Sequence, residues 1–214
     1  FDSISLKKLS NILVKNKNIY ISSDDIYEHI QWHKEKFHNI LNVCPDLKER
    51  TIVLNGVSKA YSMTGWRIGY AAGNKDIINK MKTLQSQSTS CASSVSQAAA
   101  CAALENVCEE LPIMKTEYKK RHDFVVEKLN KIDGVLCKET DGTFYVFPSF
   151  HEYIKNNKSI KDDSELSLYL LNEAKVAVVP GSAFGLEGHI RISIAIDIDS
   201  LKIAMERITS ILKN

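Results

Sequence analysis

Ser58-Lys-Ala-Tyr-Ser-Met-Thr-Gly-Trp-Arg-Ile-Gly-Tyr70 follows directly on the apolar run Thr51-Ile-Val-Leu54 and the pair Asn55-Gly56. The apolar run reads as a buried strand, and Asn-Gly marks its end. Lys59 therefore stands in a loop just past a strand, with glycines on both sides. A lysine so placed can present its amine to a carbonyl. Arg67 lies further along the same loop. Its planar fork suits a phosphate, because it donates two hydrogen bonds at once. Gly65 and Gly69 allow close backbone approach. On spacing alone the plainer reading is the stronger one: an exposed lysine and a surface arginine around a turn.

Two further stretches carry candidate chemistry. Ser23-Asp24-Asp25-Ile26-Tyr27-Glu28 follows an apolar segment read as a strand around Ile19 to Ser22. A carboxylate at Asp24 can pair with a ring nitrogen, and Tyr27 can hydrogen-bond a phenolate oxygen. A helix N-terminus capped by Ser or Asp is the structural alternative. Val179-Pro-Gly-Ser-Ala-Phe-Gly185 leads into Gly188-His-Ile-Arg-Ile-Ser193. In a strand, Arg191 points to the face opposite Ile190 and Ile192. It fits either bidentate capture of a substrate carboxylate or an edge-strand salt bridge.

The rest of the chain reads as alternating helices and strands. Leu6, Leu9, Ile12 and Leu13 recur at helical spacing. A strand is expected around Ile68 to Ala72, then helices at Lys75 to Leu84 and Ser94 to Glu105. Pro112 suits the first turn of a helix reaching toward Leu129, and Gly134 follows as its C-cap. Strands at Phe144 to Phe147, Val176 to Val179 and Ile190 to Ala195 are expected. Helices are expected at Ser164 to Ala174 and Ser200 to Leu212. This alternation favours an α/β fold with a sheet covered by helices. A domain boundary is expected near residue 110, and Asn156 to Asp163 is expected to be a mobile loop.

Composition narrows the class. The chain has 214 residues, 44% hydrophobic and 25% charged, which is ordinary for a globular protein able to bury a core. A net charge of +2 gives no global footprint for nucleic acid or an anionic membrane. Lys115 to Arg121 is a local basic stretch, read as a solvated helix face. Five cysteines, an odd number without a CxxC pair, fit reduced thiols and a cytoplasmic setting. No apolar run approaches the roughly 18 residues of a membrane span, and no leader pattern opens the chain. Phe1 in place of Met predicts a segment upstream. His29 and His33 have metal-pair spacing but no third ligand, so they read as surface or packing histidines. No metal is expected.

SKAYSMTGWRIGY resembles the lysine signature of class I pyridoxal-phosphate-dependent aminotransferases, in the bacterial aspartate aminotransferase branch. SDDIYEH is similar to that branch's Asp–Tyr segment, and PGSAFG followed by HIRIS to its carboxylate-arginine segment. The three occur in the family's order and cover essentially the whole chain. The resemblance implies an aminotransferase-like (fold type I) architecture. Residues 1–110 would be the second half of a cofactor-binding large domain with a mostly parallel sheet. Residues 111–214 would be a C-terminal α+β small domain. The implied cofactor is pyridoxal 5'-phosphate. Lys59 would form the internal aldimine and later carry the α-proton. Asp24 would pair with the pyridine nitrogen, Tyr27 with the 3′ oxygen and Arg67 with the phosphate. Arg191 would clamp the substrate α-carboxylate. The implied activity moves the amino group of L-aspartate to 2-oxoglutarate. The implied assembly is a cytoplasmic homodimer, without nucleic acid or membrane partners.

The same resemblance marks departures. Family members carry a long N-terminal half with a phosphate-binding loop and a ring-stacking aromatic, so this stretch alone is not expected to turn over aspartate. Gly56 stands where related branches have a phosphate-binding serine. Cys91-Ala92 stands where close relatives often have Asn-Pro. One alternative is a prephenate or aromatic amino acid aminotransferase. Another, of a different class, is a non-catalytic fragment that folds and associates only. The retained Lys59, Asp24, Tyr27, Arg67 and Arg191 speak against long decay.

Overall fold

The computed structural model describes residues 1–33, 35–106 and 108–212. The chain divides into two compact units, Phe1–Ile113 and Met114–Asn214.

The first unit opens with helix α1, Ser3–Lys15, whose N-cap Asp2 accepts from the Ser5 N–H at 2.6 Å. That bond satisfies a donor the helix itself cannot. The buried stripe of α1 is Leu6, Ser10 and Leu13. Leu9 and Ile12, expected on that stripe, are exposed. Leu6 and Leu13 pack on Ile40, Cys44 and Leu47, from the short helix α2 (Ile40–Val43) and the 3-10 segment Pro45–Arg50. Arg50 ends that segment. Its guanidinium donates to the carbonyls of Leu13, Asn16 and Ile19, and so caps the last turn of α1.

This capping sets where the first strand begins. The Ile19 N–H donates to Asn16 O and the Ile19 carbonyl is held by Arg50, so residues 16–19 form a turn. Strand β1 is consequently Ile21–Asp24 rather than the expected Ile19 to Ser22. It runs parallel to β2, Thr51–Gly56, with Ile21 opposite Thr51 and Asp24 opposite Leu54. Strand β3, Gly69–Gly73, runs antiparallel to β2, with Gly69 opposite Gly56. The three strands lie in the order β1-β2-β3. Connection 57–68 carries turns and the 3-10 segment Thr64–Trp66. It has no crossover helix of the kind that parallel pairing usually needs. The sheet expected to be mostly parallel therefore has, among the described residues of this unit, one parallel and one antiparallel pairing. Helices α3 (Lys75–Ser88) and α4 (Ser94–Glu105) follow. No α3 residue is buried, Ala100 alone is buried in α4, and Leu84 and Val95 are exposed.

The long helix α5, Glu110–Leu129, carries Pro112 in its first turn and leads into the second unit, where His122, Val125, Val126 and Leu129 are buried. Strands β4 (Tyr145–Val146), β5 (Val179–Pro180) and β6 (Ile190–Ser193) form an antiparallel sheet in the order β4-β6-β5. Helices α6 (His151–Asn156), α7 (Asp163–Tyr169) and α8 (Ile198–Leu212) complete the unit. Its core includes Val146, Phe150, Leu166, Leu170, Ile190, Ile194, Leu201, Met205 and Ile208.

Several expected bounds shift for local reasons. The helix expected through Ala174 turns into a π-helical segment at Leu170–Ala174, closed by Lys175 at φ 57°. The Val176 N–H donates to Leu170 O there, which removes Val176 from strand pairing and leaves β5 short. Residues 156–163 are tethered rather than loose. The Asn157 side chain accepts from the Ser159 and Ile160 N–H groups, and Ile160 and Asp163 are buried. Gly134 is not the C-cap of α5, which ends at Leu129. It has φ +77°, and a Cβ there would stand 2.7 Å from the Tyr153 nitrogen.

Gly134→Ala is therefore expected to cost about 1–3 kcal/mol, since both the dihedral and the contact resist a side chain. The readout is a lower urea midpoint at unchanged m-value. An unchanged midpoint would show that the turn gives way freely.

Candidate functional site

Because β1 and β2 are parallel, their carboxyl ends lie at one end of the sheet. Because β3 is antiparallel, it starts at that same end. Open α/β sheets present ligand sites at the carboxyl ends of their strands. Asp24 is the last residue of β1, and Tyr27 lies in the turn beyond it. Lys59 lies in the turn after β2, and Arg67 just before β3. The topology thus brings four of the five sequence candidates to one sheet end. Arg191 belongs to the second unit.

The Lys59 turn is closed by Tyr61 N–H to Val57 O at 3.3 Å and Ser62 N–H to Lys59 O at 3.2 Å. Lys59 is half-buried. The flanking Val57 is anchored in a cluster with Ile68 and Ala100, onto which Tyr61, Met63 and Ala92 pack. Ser62 (φ 53°) and Arg67 (φ 57°) are both left-handed. For non-glycine residues that conformation is uncommon and collects at functional sites. The exposed Arg67 donates to Thr64 O at 3.0 Å. At Gly56 a Cβ would stand 2.9 Å from Ile68 O and 3.2 Å from the Gly69 Cα. The close approach of β2 and β3 therefore leaves no room for the serine that related branches carry there.

The structure separates two acids that the sequence leaves adjacent. Asp25 is buried, accepting from the Ser23 hydroxyl at 2.8 Å and from the Asn39 amide. Asp24 is exposed and, among the described residues, accepts from the Ile26 N–H alone, at 3.2 Å. The segment forms turns, with Glu28 N–H to Asp25 O and Ile30 N–H to Tyr27 O, and not the helix start that was the alternative. Asn55 ties this turn to the end of β2. Its side chain donates to Glu28 at 2.6 Å and accepts from the Gly56 N–H at 2.7 Å. Burial, then the charges of Cys108 and Glu28, push the Tyr61 phenol above its ordinary range. Burial, then Glu28 and Tyr61, do the same for Tyr70. Both phenols are therefore neutral donors near pH 7. No local pattern in the sequence points to this Asn55–Glu28 bridge, which joins residues distant along the chain.

In the second unit Arg191 sits on the central strand β6, half-buried, while Ile190 and Ile192 are buried on the other face. Its guanidinium carbon lies 4.6 Å from the centroid of Tyr145 and 4.5 Å from that of Phe184. Among the described residues it has no hydrogen bond or ion pair, so the edge-strand salt bridge is absent there. The basic stretch on α5 is partly compensated, with Lys119 paired to Asp123 and Lys120 to Glu117. No group of three or more His, Cys, Asp or Glu placed to hold a metal occurs among the described residues. No helix among them is long and apolar enough to cross a membrane.

The family model described as Aminotransferase class I and II matches residues 2–208. The aspartate/prephenate aminotransferase of Nitrosomonas europaea is 45% identical over 212 residues, covering 97% of this chain and 53% of that protein. An aspartate aminotransferase of Rhizobium meliloti is 43% identical over 214 residues, 98% of this chain and 52% of that protein. The crystal structure of an aspartate aminotransferase from Rhizobium meliloti superposes with a TM-score of 0.93 at 42% identity, covering 98% of this chain and 54% of that one. An aromatic aminotransferase from Pyrococcus horikoshii gives a TM-score of 0.89 at 34% identity, covering 100% and 56%. The chain spans about half the length of the curated relatives it matches.

The two acids are expected to respond differently to removal. Asp25→Ala strands the Ser23 and Asn39 donors and should cost about 1–3 kcal/mol. Asp24→Ala, at an exposed position, should stay within about 0.5 kcal/mol. Denaturant titration of both variants decides, and equal losses would mean that Asp24 is also structural.

Proposed function

Because this chain belongs to the class I and II aminotransferase family, we propose that the whole protein transfers the amino group of L-aspartate to 2-oxoglutarate, using pyridoxal 5'-phosphate held at Lys59. The observation that carries this reading is the meeting of Lys59, Asp24, Tyr27 and Arg67 at one sheet end. An amine, a carboxylate, a phenol and a guanidinium are the donor set that an aldehyde, a basic ring nitrogen, a phenolic oxygen and a phosphate require. The chemistry of the residues therefore fits the cofactor. When bound, the cofactor supplies an electron-poor ring that takes up the electron pair left when the substrate's α-proton departs.

The chain's own residues do the rest. Asp24, with one weak backbone contact, has lone pairs free to pair with a protonated ring nitrogen. Tyr27 offers a phenolic O–H to the ring oxygen. Arg67 presents its fork to the phosphate beside the backbone of the β3 start. Lys59 supplies the amine that anchors the cofactor and, once displaced, carries a proton at the substrate's α-carbon. Arg191 takes the α-carboxylate of the amino acid and of the oxo acid.

Residues 1–110 act in this reading as the second half of a cofactor-binding large domain, and 111–214 as the small domain. The division of the chain at Ile113 and Met114 supports that assignment. A homodimer working in the cytoplasm is part of the same proposal. A second reading, a prephenate or aromatic amino donor, draws support from the printed names of the Nitrosomonas europaea and Pyrococcus horikoshii relatives.

Lys59→Ala in the intact protein is expected to lower transamination by about a hundredfold to ten-thousandfold, in line with loss of a proton-transfer group. The fold should be unchanged by circular dichroism. Borohydride reduction and peptide mapping of the wild type should place a pyridoxyl label on Lys59, and a label on another lysine would refute the assignment. Arg191→Lys keeps the charge and loses the fork. It should raise the aspartate KM by roughly 10–100-fold and leave cofactor affinity nearly unchanged. Equal losses in both would make Arg191 structural.

A further inference from the structure

We propose that Tyr145 and Phe184 are positioning residues for Arg191, holding its guanidinium so that it meets a carboxylate edge-on. The inference rests on the reading of Arg191 as the carboxylate receptor and adds what makes it one.

All the N–H donors of a guanidinium lie in its plane, and its two faces are weakly hydrated and stack readily on aromatic rings. Arg191 sits on the central strand of its sheet, and a ring reaches it from the side of each flanking strand. Tyr145 belongs to β4 and comes within 4.6 Å. Phe184 closes the 3-10 segment Gly181–Phe184 directly after β5 and comes within 4.5 Å. In the stacked arrangement that guanidinium and aromatic groups favour, rings this close to the central carbon cover its faces and leave its donor edge. The favoured approach for an anion is then in the plane, where two parallel N–H···O bonds suit a carboxylate. The rings also remove much of the rotational freedom of a long side chain before a ligand arrives, so less is lost on binding.

Both rings are themselves held. Tyr145 packs on Phe144 at 4.7 Å, and Phe144 packs on Tyr118 of α5 at 5.6 Å. Phe184 meets Phe147 edge-on at 6.1 Å, and Phe147 stacks on His189 at 5.3 Å. The backbone beneath Phe184 is fixed by Gly181 N–H to His189 O at 2.7 Å and by Ser182 N–H to the Asp163 carboxylate at 2.6 Å. Asp163 is 2% exposed. A buried carboxylate at the start of α7 thus ties down the backbone two residues before Phe184.

The test uses the intact protein with its cofactor. Tyr145→Leu and Phe184→Leu should each raise the aspartate KM by about 3–30-fold, the range of one cation–π contact. The change in kcat and in cofactor affinity should be much smaller. Tyr145→Phe and Phe184→Tyr, which keep a ring, should restore the wild-type KM. In an Arg191→Leu background the ring removals should change KM no further, because they act through the guanidinium. Phe184 is half exposed, so its variants should fold even if a Tyr145 variant does not. If Phe184→Leu leaves KM unchanged while Arg191→Lys raises it, the positioning role is refuted and the receptor reading stands. If Arg191→Lys itself leaves KM unchanged, the receptor reading falls and this inference falls with it.

Discussion

The N–H of Asp25 donates to Leu54 O at 2.9 Å, continuing the parallel ladder between β1 and β2 past the end of β1. Much of the first unit follows from that pairing. It puts the carboxyl ends of two strands side by side, so Asp24, the last residue of β1, and the turn carrying Lys59 stand at the same end of the sheet. The return of β3 brings Arg67 there as well. The constraint is tight at the β2–β3 contact, where Gly56 and Gly69 sit opposite each other and a side chain at Gly56 would strike Ile68 O. Backbone proximity, not phosphate chemistry, accounts for the glycine at that position.

Arg67 of the first unit and Arg191 of the second are held by different physics. Arg67 is exposed, sits at a left-handed backbone position and is steadied by one bond to Thr64 O. It is placed by the conformation of its own loop. Arg191 is half-buried and placed by rings from two other segments. A loop-borne arginine can follow a phosphate as the loop adjusts, whereas a ring-held one offers a fixed plane.

The sequence made the Lys59 segment legible as a loop directly after a strand, because its residues are contiguous and its strand is strongly apolar, while the chemistry proposed for it came from the family resemblance. The α/β class was legible from the alternation of helical and strand patterns. Features set by distant partners were not. Asp24 and Asp25 are indistinguishable in the chain, and only Ser23 and Asn39 tell them apart. The start of β1 depends on Arg50, a residue from a later segment that caps α1. The length of β5 depends on a π turn that takes up the Val176 N–H. The rings around Arg191 come from Tyr145 and Phe184, and no local periodicity links either to it. Gly134 resembled a helix cap because it follows α5, yet the backbone at Tyr153 is what requires it.

In the proposed function the sheet end carrying Lys59 binds pyridoxal 5'-phosphate in a form that an amino acid can discharge. The most direct measurement is an absorbance titration of the intact protein with the cofactor, followed by addition of aspartate. The proposed function requires a visible band, distinct from that of free pyridoxal phosphate, that saturates at one cofactor per chain, shifts when aspartate is added and is absent in Lys59→Ala. If that band persists in Lys59→Ala, or if aspartate leaves it unchanged, the proposed function is wrong.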